Sequence, residues 1–457
     1  MSIKKSSSVA DAFLRAHPDI RHLDVLLADL GATPRGKRLH IDDLATVYAG
    51  GFLLPGSMFA LDTLGNTVES TGLGFDEGDA DRQCLPLDNS LVPVPWSTEG
   101  VAQIQVSMFE HDRTPFFGDP RHVLGDVLKR FASRGLKPVV AIELEFYVVD
   151  INRLENGNVQ PAALPGSGRR PRGKQINSMS VLGEMSAILT EIVRAAELQH
   201  VPATTVLAEC GPGQYEVNLR HETDAQQACD SAVRLKRLVR GIFLRHGMQA
   251  TFMAKPYADA SGNGGHIHVS LLNEQGHNVF ASSAPEGNDM LRQAIGGLAT
   301  TMADCMLVFA PTANSYRRLQ PMNYVPLDAT WGVNNRGVAL RIPVSDATNR
   351  RIEHRVSGAD VNPYLLTAAV LAGIHYGLEK RSDPGPPLMG NPYATGAAPT
   401  LPTYWPAAAQ AFARSDFIRD YFGERFQRLY HTVRQSELQA FDAHVTPLEY
   451  DWYLNAG

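Results

Sequence analysis

Cysteine is scarce in this 457-residue chain, and the four present (Cys84, Cys210, Cys229 and Cys305) fall without CxxC spacing. That argues against a disulfide frame and a thiolate metal site, and it predicts small buried hydrophobes instead. No apolar run approaches the length of a membrane span, and the stretch MSIKKSSSVADAF has no apolar h-region, so a cytoplasmic protein without a membrane partner is expected. A concentrated basic patch and an aromatic-rich basic ribbon are also missing. With a formal net charge of −6, nucleic acid is not an expected partner. Neither a GxxxxGK(S/T) P-loop nor a kinase signature set occurs, so a nucleotide would have to sit on another scaffold.

What is present is an ordinary globular composition, 44% hydrophobic and 20% charged, in a chain long enough for about two or three domains. The strands HLDVLLADL and VAQIQVSMF, separated by turn-rich LGATPRGKR and GFDEGDADR, predict a small strand-rich domain over residues 1–115. The segment DRTPFFGDPRHVL marks the boundary to a larger domain over 116–457. There, strands alternate with helices in VLGDVLKRFASRG (closed by Gly135), GEMSAILTEIVRAAELQ, DAQQACDSAVRLKRLVRGIFLRHG and VNPYLLTAAVLAGIHYGLEK. LPGSGRRPRGKQ is expected to be a surface loop, and SDPGPPLMGNPYATGAAPTLP a long connection.

Five strand-like segments share one oddity. In IELEFYVVD, Glu143, Glu145 and Tyr147 point one way and Ile142, Leu144, Phe146 and Val148 the other. QYEVNL aligns Gln214, Glu216 and Asn218, with Glu209 just upstream; GGHIHVSL aligns His266, His268 and Ser270. In VALRIP, Arg341 opposes Leu340 and Ile342, and in RRIEHRVS one face carries Arg351, Glu353 and Arg355. Any one strand fits an antiparallel sheet with a wet face. Together they carry Glu, His and Arg almost without Lys, unlike an ordinary solvated face.

If the faces converge, five carboxylates and one imidazole cannot all stay ionised without cations. Hard oxygen ligands with a single imidazole suit Mg²⁺ or Mn²⁺, and six ligands allow two or three ions. Arg318, Arg336, Arg341, Arg351 and Arg355 add guanidinium forks that match phosphate and carboxylate oxygens, although any one of them would equally serve to pair these glutamates. Phosphoryl transfer to an acidic substrate is the implied class.

The segments IELEFYVVD, AECGPGQYEVNL, GNGGHIHVSL, NSYRRLQP, NNRGVALRIP and RRIEHRVSGADVNPYLLTAAVLAG, in this order, resemble the type I glutamine synthetase superfamily. The resemblance implies an α+β fold: a small N-terminal β-grasp-like domain, then a catalytic domain with a curved antiparallel sheet flanked by helices. It further implies one metal on Glu145, Glu209 and Glu216 and a second on Glu143, His266 and Glu353. Arg318 and Arg355, with the Gly262 backbone, would hold L-glutamate. His268, Ser270 and Arg351 would lie along ATP, with Arg336 and Arg341 at the phosphates in the catalytic step. A homo-oligomer is implied, a hexameric ring that the C-terminal segment SELQAFDAHVTPLEYDWYLNAG would allow to stack as a dodecamer.

Two departures shape the substrate. Where ammonia-using members carry a flexible-loop glutamate in a PGYEAP-like stretch, this chain reads PMNYVP and places Tyr324; where they carry a DGSS-type aspartate, it reads LLPGSMFALD. Ammonium is held chiefly by charge, so losing both carboxylates favours a larger amine. The pattern resembles the γ-glutamylpolyamine and γ-glutamylamide synthetase branch. Met322, Tyr324 and Trp331 offer apolar and aromatic surface near the amine entrance, which leans towards a monoamine with an apolar or aromatic body over a polyamine. The rivals are an ordinary ammonia-using glutamine synthetase, a catalytically inactive structural or regulatory ring, and a metal-dependent hydrolase.

Overall fold

A computed structural model of the chain describes residues 3–394 and 399–456. The first six strands are β1 (His22–Ala28), β2 (Pro34–His40), β3 (Leu53–Pro55), β4 (Asp81–Pro86), β5 (Val92–Pro93) and β6 (Val101–Phe109). They form one sheet in the order β2-β1-β6-β4-β3, with β5 also on β6, and β1 runs parallel to β6 while the other pairs are antiparallel. β6 is covered on both faces. Ala102, Ile104, Val106 and Met108 join the hydrophobic core, while Gln103, Gln105 and Ser107 are buried on the opposite face. There the Gln105 amide donates to the Asp230 carbonyl, and Ser107 Oγ donates to Asp119 Oδ2 at 2.5 Å. The helix Ile3–Ala16, which has little apolar periodicity in its first turns, was not expected.

Residues 110–119 lead to the helix Pro120–Ala132, whose start is set by proline at its first position and by the Asp119 carboxylate accepting from Arg121 N. The remaining strands are β7 (Lys137–Asp150), β8 (Ala203–Ala208), β9 (Gln214–Leu219), β10 (Met248–Thr251), β11 (Gly265–Leu272), β12 (Trp331–Val333), β13 (Leu340–Ile342) and β14 (Ile352–His354). They form a curved eight-stranded sheet in the order β12-β13-β14-β11-β7-β9-β8, with β10 paired to the end of β7. Only β12 and β13 pair in parallel. The expected helices appear at Ser186–Leu198, Ala225–Arg245 and Pro363–Lys380.

Side-chain alternation gives this sheet two unlike faces. Ile142, Leu144, Phe146, Val217, Ile267 and Val269 are buried, and Phe146 packs against Tyr215, Phe243 and Phe252 with ring centroids 5.4–6.1 Å apart. Burying such side chains stabilises by about 1.5–3 kcal/mol each. Helix Pro363–Lys380 is apolar nearly all round and buried on most of its residues, as expected for a core helix. It crosses helix Asp289–Thr301 at backbone distance: a Cβ on Gly297 would lie 2.3 Å from the Gly373 carbonyl oxygen. Its N-cap Asn362 also donates to the carbonyls of Asp29 and Leu30, tying the helix to the end of β1.

Cys84, Cys229 and Cys305 are buried as expected, whereas Cys210 is partly exposed. The arginine-rich segment near residues 164–174 is an exposed loop, and the Pro/Gly connection before Trp405 is irregular where described; residues 395–398 lie outside the described set.

Candidate active site

The polar faces of the five strands converge through strand register. His266 on β11 sits across from Glu143 on β7, which sits across from Asn218 on β9; one step along, Glu145 faces Glu216. On the other side of β11, His268 faces Glu353 on β14, which faces Arg341 on β13. Glu209 follows β8 and closes the row.

Among the described residues, three groups have ligand atoms within 4.8 Å of one another: Glu145, Glu209 and Glu216; Glu143, Glu216 and His266; and Glu143, His268 and Glu353. The first is the expected triad. The second expected set, Glu143, His266 and Glu353, is split between the other two groups. The reason is local. Glu353 is 1% exposed, and its two oxygens are taken by Arg341 Nη1 at 2.7 Å and by Arg355 Nη1.

The clusters differ in charge. Burial, then repulsion from Glu145, Glu143 and Glu209, pushes the Glu216 carboxyl up to about 9. Burial and the neighbouring Glu209 push Glu145 up to about 7, and burial raises Glu209 too. Their donors are neutral: Gly264 N–H at 2.7 Å and Gln214 Nε2 at 3.1 Å on Glu145, Cys210 N–H at 3.0 Å on Glu209. A set of buried hard oxygens whose proton affinity is raised by burial and mutual repulsion fits a divalent ion such as Mg²⁺ or Mn²⁺. Glu143 and Glu353 behave oppositely. For Glu143, burial is outweighed by hydrogen bonding from His266 and His268, and its carboxyl lies well below the usual range. For Glu353, burial is outweighed by Arg355, the two histidines and Arg341, which hold it down to about 2. Burial and Arg355 lower His266 to about 4, leaving a neutral imidazole, the form that ligates metal.

The remaining candidates gather around these clusters. Arg318 is 4% exposed, donates to the Val356 carbonyl at 2.7 Å and keeps an unpartnered buried Nε; the Thr312–Ser315 capping box, with Ser315 Oγ bonded to Asp360, fixes the turn that carries it. Gly262 must be glycine, since a Cβ would lie 2.7 Å from both the Ala254 carbonyl oxygen and Arg318 Cγ. Tyr147 shares the polar face and donates to the Ser261 carbonyl at 2.7 Å. His268 Nε2 lies 3.0 Å from Glu143 Oε1, its Nδ1 lacks a partner, and Ser270 follows on the same face. Arg336 is exposed, and its carbonyl accepts from Arg355 Nε. Arg351 immediately precedes β14, its guanidinium on the Asn349 carbonyl at 3.4 Å. Met322 and Tyr324 are exposed, but Trp331 is 2% exposed, with its indole N–H on the Gly385 carbonyl and Arg292 over its ring. Trp331 therefore offers no open face to an amine.

Sequence reasoning passed over Asn263 and Gly264. The fully buried Asn263 carboxamide accepts from Gln214 and donates to the Met253 carbonyl, while a Cβ on Gly264 would meet His266 Nε2 at 2.8 Å and Glu145 Oε1 at 3.1 Å. Glycines on both sides of Asn263 in SGNGG were the available signal.

Residues 117–453 match the family model of the glutamine synthetase catalytic domain. The chain therefore belongs to the glutamine synthetase family. It is 42% identical over 442 residues to gamma-glutamylputrescine synthetase PuuA of Escherichia coli (strain K12), covering 97% of this chain and 93% of that one. Gamma-glutamylethanolamide synthetase GlnA4 of Streptomyces coelicolor is 32% identical, with 87% and 83% covered. The solved structure titled "Apo GmaS without ligand" superimposes with a TM-score of 0.83 at 26% identity, over 97% of this chain and 99% of that one. No helix among the described residues is long and apolar enough to cross a membrane.

Proposed function

We propose that this chain joins the γ-carboxylate of L-glutamate to a primary amine larger than ammonia, driven by ATP. The observation that carries the reading is the pairing, on one sheet face, of a carboxylate triad without a direct guanidinium partner among the described residues and a second cluster held by guanidiniums, in a chain with amide-forming relatives. Glu145, Glu209 and Glu216 would hold one divalent ion and Glu143, His266 and Glu353 a second, as Mg²⁺ or Mn²⁺, with Glu143 and Glu216 within reach of a third. Bound there, such ions would neutralise the carboxylates and the charge on phosphoryl oxygens.

Arg318 and Arg355 orient the glutamate substrate, with the Gly262 backbone giving it room. His268, Ser270 and Arg351 border ATP, and Arg336 and Arg341 stabilise charge on the γ-phosphoryl group as it passes to the glutamate γ-carboxylate, releasing ADP. The amine nitrogen then attacks the γ-carbonyl carbon, expels inorganic phosphate and loses its proton. Tyr324 offers no carboxylate to hold ammonium. With Trp331 withdrawn, little aromatic surface remains for a bulky ring, and the short diamine named in the 42% identical relative becomes the first candidate.

A cytoplasmic homo-oligomeric ring fits the same reading, and exposed Tyr450, Trp452 and Tyr453 near the C-terminus suit its stacking. The test is ATP-dependent phosphate release with L-glutamate and Mg²⁺ across ammonia, putrescine, spermidine, isopropylamine, benzylamine and tyramine, with the amide confirmed by mass. An organic amine exceeding ammonia by at least about tenfold in kcat/KM is expected, equivalent to about 1.4 kcal/mol. Ammonia as the best substrate would return the chain to glutamine synthesis.

A further inference from the structure

The loop carrying Met322 and Tyr324 stands out from the catalytic sheet. These side chains are 70% and 69% exposed, and both backbones are left-handed, with φ of 63° and 53°. Residues other than glycine hold that conformation when their surroundings impose it. A segment far along the chain, Leu388 to Tyr393, crosses the loop's downstream arm. Leu388 N–H donates to the Trp331 carbonyl at 2.7 Å, and Asn335 Nδ2 donates to the Gly390 carbonyl at 2.9 Å. Pro392 packs on Gly337, where a Cβ would lie 2.5 Å from the proline ring. The contact nearest the exposed tip is the Tyr393 hydroxyl on the Val325 carbonyl at 2.9 Å. Beyond it, the N–H groups of Thr400 and Leu401 donate to Asp328 Oδ1 at 2.8 Å and to the Leu327 carbonyl at 3.1 Å.

Tyr393 is more than an anchor on a remote surface. Burial raises its hydroxyl above its ordinary value, and the charges of Arg318 and Arg355 oppose that shift. Its hydrogen bond ties the segment Leu388 to Tyr393 to the loop that holds Tyr324.

We propose that Tyr393 is a positioning residue for the amine half of the reaction, its hydroxyl anchoring at Val325 the loop that carries Met322 and Tyr324. This rests on the amine-ligase reading above. A γ-glutamyl phosphate can be lost to water, so a loop held in register admits the amine and keeps the acyl phosphate from hydrolysis.

Tyr393→Phe deletes one hydroxyl and leaves the ring, so the full-length variant provides the test. In hydrogen exchange, the amides of residues 322–325 exchange at least about threefold faster in the variant, with those of β12 unchanged. In steady-state kinetics, KM for the amine rises about fivefold, the effect of one lost hydrogen bond, while KM for ATP stays within about twofold. Glutamate-dependent ATP hydrolysis without amine also increases. Unchanged exchange overturns the anchor, and faster exchange with an unchanged amine KM overturns the positioning role. If the wild-type protein makes no amide from any amine, the proposed function falls and the positioning role with it, while exchange still decides the anchor.

Discussion

Two groups of glutamates share one sheet face a few ångströms apart, and they hold protons in opposite ways. Glu145, Glu209 and Glu216 hydrogen-bond only neutral amides, and although Arg318, Arg336 and Arg355 act on Glu145 or Glu209 through space, burial and mutual repulsion raise their proton affinity, to about 9 for Glu216. Glu353 sees Arg341, Arg355 and two imidazoles, and its affinity falls to about 2. The residue type is the same; what differs is direct pairing with guanidinium, which Glu353 has and the triad lacks. Glu353 has direct guanidinium partners, and among the described residues the triad has none.

The largest way to break this contrast is to remove a ligand. Glu216→Ala should lower turnover about a thousandfold or more while the far-ultraviolet circular dichroism stays that of wild type; near-normal turnover would remove Glu216 from the metal site. On the compensated side, Arg355→Ala leaves the buried Glu353 carboxylate with one guanidinium partner instead of two, which should cost about 3 kcal/mol in urea unfolding as well as activity. A cost near zero would show that Arg355 carries none of the Glu353 charge. A gentler probe is Tyr324→Glu, which should raise kcat/KM for ammonia relative to larger amines by about tenfold, measured on the same amine panel.

The pH dependence separates the clusters further. Glu216 has its affinity raised from 4.5 to about 9, so its contribution to the stability of metal-free protein is fully present below about pH 4.5 and is lost as pH rises through about 9. Glu353 has the opposite sign: its contribution is present above 4.5 and lost as pH falls through about 2. Thermal unfolding of metal-free protein should therefore fall by about 5 °C from pH 6 to pH 9, and Mg²⁺ should flatten that slope. An equal slope with and without Mg²⁺ would count against the triad as the ion's site.

Much of this face was legible because strand parity is a rigid rule. Once IELEFYVVD, QYEVNL and GGHIHVSL are strands, Glu143, Glu145, Glu216 and His266 must share sides with their alternate neighbours. Glu209 lies outside a strand, so parity does not place it, and only its position just upstream of QYEVNL pointed to it before the family resemblance gave it a role. Trp331 was misjudged because its burial depends on Arg292 and Gly385, which come from distant parts of the chain. The placement of His268 across from Glu353 was hidden for a similar reason, since it follows from the register between β11 and β14. Tyr393 was invisible as well: its hydroxyl meets a carbonyl 68 residues earlier, and no local pattern encodes that crossing.

The contrast between the two clusters is tested by the protons released when Mg²⁺ is titrated into metal-free protein at pH 7, measured calorimetrically in buffers of different ionisation enthalpy. Release of about one proton or more per chain, absent in Glu216→Gln, is expected if the ion displaces the protons that the uncompensated triad holds. Binding without proton release, or with the same release in the variant, would mean that the triad is already ionised and that the two clusters do not differ in the way described.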